Sequence, residues 1–96
     1  MQQRKVHFHA AKILSALGHS DRLHALALVL ERERSVTELA GLLGITHSRV
    51  SQQLAVLMRT GLLNKRHVGR TVYFSSASPL ARDLIRVMVK HTGPIE

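Results

Sequence analysis

Apolar residues recur at helical spacing along most of this chain, and the breaks between the runs mark its elements. Val6, Ala10, Ile13, Leu14 and Leu17 fall on one stripe, which predicts a first helix over about 4–17. Gly18 is expected to end it in the left-handed conformation. Ser20 is expected to cap a second helix, with Asp21 at the positive end of its dipole. That helix is apolar on several sides, from Leu23 through Ala25, Leu26, Leu28 and Val29 to Leu30, and so belongs at the centre of the core. Glu31-Arg32-Glu33-Arg34 reads as a short solvated connection.

The pattern then tightens. Ser35-Val36-Thr37-Glu38 has the spacing of a capping box, and Val36, Leu39, Ala40, Leu42 and Leu43 follow on a third helix. Gly44 ends that helix, Ile45 plugs the turn and Thr46 caps a fourth, over about His47 to Thr60. Val50, Leu54, Leu57 and Met58 form its inward face, while Ser48, Gln52, Ala55 and Arg59 point the other way. Gly61 ends the helical pattern. Leu62–His67 and Thr71–Ser75 read as two strands turning at Gly69. Ser78-Pro79 opens a last helix with its stripe at Leu80, Leu84, Val87 and Met88, and Gly93-Pro94 closes it.

The expected fold is therefore mainly α with a small β-hairpin, in the order α-α-α-α-β-β-α. This is a winged helix-turn-helix in one domain over 1–96, with the helix-turn-helix at 36–60 and the wing at 62–75. No repeat, low-complexity run or linker divides the chain.

Charge gives this architecture a direction. The formal net charge is +8, and no acid occurs between Leu39 and Arg82. Such a balance favours polyanions, nucleic acid first and anionic membrane second. The aromatic residues are Phe8, Tyr73 and Phe74, too few for the stacking platforms of a single-strand binder, so duplex DNA is the expected partner. The chain has no cysteine, which excludes disulfides and thiolate metal sites. No apolar run suits a signal peptide or membrane span, and a cytoplasmic location is expected. No carboxylate pair, triad or phosphate loop suggests an enzyme.

Four segments, in order and at matching spacing, resemble the ArsR/SmtB family of winged-helix repressors. They are Leu17-Gly18-His19-Ser20-Asp21-Arg22-Leu23, with Ser20 where proline is usual; Ile45 to Leu54 in the fourth helix; Leu57-Met58-Arg59-Thr60-Gly61-Leu62-Leu63; and Arg66 to Ser75 in the wing. The resemblance implies a homodimer whose interface is formed by the first and last helices, at about 4–17 and 79–92. It also implies a pseudo-palindromic operator in double-stranded DNA. Carried over by position, the DNA-binding residues are Thr46, His47, Ser48, Arg49, Ser51 and Gln52 on the helix, and Lys65, Arg66 and Arg70 on the wing. Gln52 suits adenine, Arg49 guanine or a phosphate, Arg70 a narrow minor groove, and Lys65 and Arg66 phosphates. The family often has glutamine at the position of His47 and histidine at that of Gln52, a difference that bears on the operator read.

Many members of the family sense metals. Where one sensing site has a Cys-x-Cys pair, this chain has Ser35 and Thr37. Where another has ligands on the last helix, it offers Asp83 and His91, with Leu80, Lys90 and Gly93 at the neighbouring positions. His7, His9 and His91 could in principle meet in a nickel or zinc site, but scattered surface histidines account for them better, and no metal or cofactor is expected. The reading is a dimeric, sequence-specific regulator, most naturally a repressor. Its rivals are a nonspecific architectural DNA binder and a protein-interaction winged helix, the latter disfavoured by the absence of acids around the fourth helix.

Overall fold

The computed structural model describes residues 2–96, with side chains from His7 onward. Its elements are α1 Gln2–Leu17, α2 Ser20–Glu31, β1 Arg34–Ser35, α3 Val36–Leu43, α4 His47–Met58, β2 Asn64–Val68, β3 Thr71–Ser75 and α5 Pro79–Thr92. Helices α2, α3 and α4 meet in the core, where Leu26, Leu39, Val50, Leu54 and Leu57 are the largest fully buried side chains. Ile13 and Leu17 from α1, Phe74 from β3 and Ala81 from α5 complete it. Burying a leucine fully is worth about 1.5–3 kcal/mol, so this shared cluster is what fixes α4 against the other helices.

Three expected caps are present. The Ser35 hydroxyl accepts from the Glu38 amide at 3.1 Å, and the Glu38 carboxylate accepts from the Ser35 amide at 3.2 Å. Thr46 accepts from Arg49, and Ser78 from Ala81. Gly44 takes φ +68°, which lets the chain reverse between α3 and α4 without the steric cost that a Cβ would add.

The α1–α2 junction differs from expectation. Gly18 is not left-handed, since the positive-φ glycines are Gly44, Gly61, Gly69 and Gly93. Its amide instead donates to the Ser15 carbonyl, a tighter turn that leads directly into α2. Ser20 lies inside α2. The cap is His19, in extended backbone, whose Nδ1 accepts from the Asp21 amide. Met58 is exposed rather than inward, because α4 ends there and the chain unwinds through Arg59–Gly61. Leu62 and Leu63 are buried but precede the strand, which begins at Asn64.

The charged run before α3 is not simply solvated. Its end forms β1, which pairs antiparallel with β3 and turns the hairpin into a three-stranded sheet of order β1-β3-β2. Arg34 is buried, and its Nε donates to the Leu28 carbonyl at the end of α2. Its Nη2 donates to Glu31 at 2.8 Å.

Candidate nucleic-acid interface

Helix α4 has one face in the core, two supported flanks and one side open to solvent. On the α2 flank lie Arg49 and Gln53, one helical turn apart. Arg49 donates to the Asp21 carboxylate at 3.3 Å, and Gln53 accepts from Arg22 at 2.8 Å. Arg22 also donates through Nε to the Ala16 carbonyl in α1. The first turn of α2 therefore holds α4 at two points and ties it to α1. On the other flank, Ser51, Ala55 and Met58 border an open cleft whose far wall is Lys65, Val72 and Phe74 of the sheet.

Between these flanks Ser48, Gln52 and Arg59 are exposed. Thr46, His47, Arg49 and Ser51 are exposed beside them, so the structure gathers all six expected helix residues at the amino-terminal half of α4. The amides of His47 and Ser48 precede the first intrahelical bond, that of Val50 to Thr46, and so point outward at the positive end of the helix dipole.

The wing extends from the same side. Gly69 at φ +60° makes its tip and leaves Arg70 exposed beside it. Lys65 is exposed at the cleft. Among the described residues, neither Lys65 nor Arg70 takes part in an ion pair. Arg66 does: Glu33 accepts from its Nε at 3.0 Å and from its Nη2. That contact holds the Glu33 carboxyl below the usual glutamate range and raises Arg66 further.

Several residues that shape this surface are not legible in the sequence, among them Asp21, Arg22, Gln53 and Glu33. Each acts across the fold through one polar contact, and local spacing carries no trace of such contacts. As for metals, among the described residues no three histidine, aspartate or glutamate side chains gather into a ligand set. Ser35 is spent on its helix cap, and Asp83 and His91 are exposed on α5. Among the described residues no helix is long and apolar enough to cross a membrane.

The sequence pattern described as bacterial regulatory protein, arsR family, matches residues 19–65, from the α2 cap into β2. The transcriptional activator HlyU of Vibrio cholerae is 35% identical over 79 residues, covering 82% of this chain and 73% of HlyU. The chain belongs to the ArsR family. Its backbone follows those of other members closely. The transcriptional repressor BigR from Xylella fastidiosa superposes with a TM-score of 0.85 at 27% identity, over 95% of this chain and 93% of BigR. Mb0332 from Mycobacterium bovis, described as a homodimeric winged helix-turn-helix DNA-binding domain, superposes at 0.82 and 27% identity, over 93% and 85%. This ArsR-family chain is thus a DNA-binding transcriptional regulator with a winged helix-turn-helix fold, and not an enzyme.

Proposed function

We propose that the chain is a sequence-specific repressor that binds a pseudo-palindromic operator as a homodimer. The observation that carries this reading is the acid-free, exposed amino-terminal half of α4 beside a basic wing. His47, Ser48, Arg49, Ser51 and Gln52 face the major groove, where Gln52 pairs with adenine and Arg49 with guanine or a phosphate. The helix amides after Thr46, together with Lys65 and Arg70, hold the backbone.

The dimer is supported by apolar side chains left uncovered on α1 and α5. Phe8 and Leu14 are exposed on α1, and Leu80, Val87 and Met88 on α5. Several exposed apolar side chains on each of two helices suit an interaction surface. Two-fold symmetry then sets half-sites an integral number of helical turns apart. Repression by occluding a promoter requires only occupancy. Control does not run through the family's usual metal-ligand sets, because the corresponding positions carry Ser35, Thr37, Leu80 and Lys90.

Selection from random duplex DNA followed by gel shift tests the proposal. It expects enrichment of an inverted repeat and loss of at least about tenfold in affinity for Arg49→Ala and Gln52→Ala, since a bidentate base contact is worth about 1–3 kcal/mol. If no sequence outcompetes bulk DNA at moderate salt, the protein is a nonspecific binder instead.

A further inference from the structure

One arginine of the wing is not available in the way its position in the motif suggests. Arg66 stands opposite Tyr73 in the β2–β3 ladder, and Ser35 stands opposite the same Tyr73 in the β1–β3 ladder. Residues directly opposite, and residues two apart on a strand, share one face of a sheet. Arg66, Tyr73 and Ser35 therefore lie on the same face, and Glu33, just ahead of β1, reaches Arg66 there. Lys65, opposite Phe74, lies on the other face, which lines the cleft beside α4.

On that shared face the Arg66 guanidinium meets the Glu33 carboxylate with two donors and lies 5.4 Å from the centre of the Tyr73 ring. One side chain thus reaches from β2 across β3 to the segment that leads into β1. A two-point arginine–carboxylate pair fixes orientation as well as distance, and stacking on a tyrosine restricts the guanidinium further. A phosphate approaching the remaining edge of the guanidinium would bring a second anion up to the Glu33 carboxylate.

We propose that Arg66 is a positioning residue, clamped by Glu33 over Tyr73, that sets the wing's angle to the body, and that the wing's phosphate contacts fall to Lys65 and Arg70. This rests on the DNA-binding reading for its consequence but not for its geometry, and the test separates the two.

Affinity is measured against salt for the wild type, Glu33→Gln, Arg66→Gln, the double variant, Lys65→Gln and Arg70→Gln. The clamp predicts that Glu33→Gln and Arg66→Gln weaken binding alike, by roughly threefold, with the double variant no weaker than either. Neither changes the slope of log affinity against log salt, whereas Lys65→Gln and Arg70→Gln each reduce it by about 0.9. The proposal is overturned if Arg66→Gln reduces the slope while Glu33→Gln tightens binding, because Arg66 would then be a phosphate ligand that Glu33 masks. Amide hydrogen exchange of β2 and β3 in the free protein gives a second readout. Faster exchange in both single variants supports the clamp, and unchanged exchange in both overturns it. A wild type that binds no DNA refutes the regulator reading alone, and the exchange result still decides the clamp.

Discussion

Arg34 shows how one residue can contradict the composition around it. It ends a run of four alternating charges, yet its side chain is only 10% exposed, against 69% for Arg32 two residues earlier. Its Nε adds a second donor to the Leu28 carbonyl, which the Arg32 amide reaches only at 3.4 Å, and its charge lies at the negative end of that dipole. Arg34→Met keeps the apolar stem but removes the donor. It is expected to lower stability by roughly 1–3 kcal/mol in urea unfolding. Arg32→Met, which removes only an exposed pair, is expected to cost about 0–1 kcal/mol. Nothing in Glu31-Arg32-Glu33-Arg34 tells these two arginines apart. What separates them is pairing with β3, which sets Arg34 opposite the buried Phe74. The candidate site divides in the same way. Its exposed residues follow from helix periodicity and from the family resemblance, whereas the partners that hold two of them, Asp21 for Arg49 and Glu33 for Arg66, come from distant segments.

At the scale of elements, caps and periods made the helices readable. Ser35, Thr46 and Ser78 each cap the helix expected of them because each stands in extended backbone immediately before it. Ser20 failed as a cap because the turn at Gly18 is one residue shorter than a left-handed ending would make it, which moves the extended residue back to His19. Ser35→Ala is therefore expected to cost about 1 kcal/mol and Ser20→Ala less than about 0.5 kcal/mol, compared by thermal unfolding. The hairpin was readable from two short runs with a glycine turn between them. The third strand was not, since two residues are too few to show a period of two.

At the scale of the whole molecule, the feature that matters is what the fold leaves uncovered. Leu42 on α3 and Met58 on α4 are exposed singly, while α1 and α5 each keep several apolar side chains in solvent, with Phe8 65% and Val87 53% exposed. In a lone chain Val87→Glu would be a surface change worth no more than about 0.5 kcal/mol. If α5 is a subunit interface, the same change places a charge in it. The expected outcome is a monomer by sedimentation that retains its fold by circular dichroism and binds the full operator at least about tenfold more weakly, because the second half-site no longer adds to the first.

Arg22 gives the proposed interface a further meaning. Its guanidinium joins a carbonyl near the end of α1 to Gln53 on the flank of α4, so one side chain links the two helices. In a dimer built on α1, the crossing of the two α1 helices becomes the ruler that sets how far apart the paired reading heads stand. Residues that never approach DNA, such as Ala16 and those packed around it, would then measure the spacer between half-sites. A change in their bulk would alter the preferred spacer length while leaving the half-site sequence as it was.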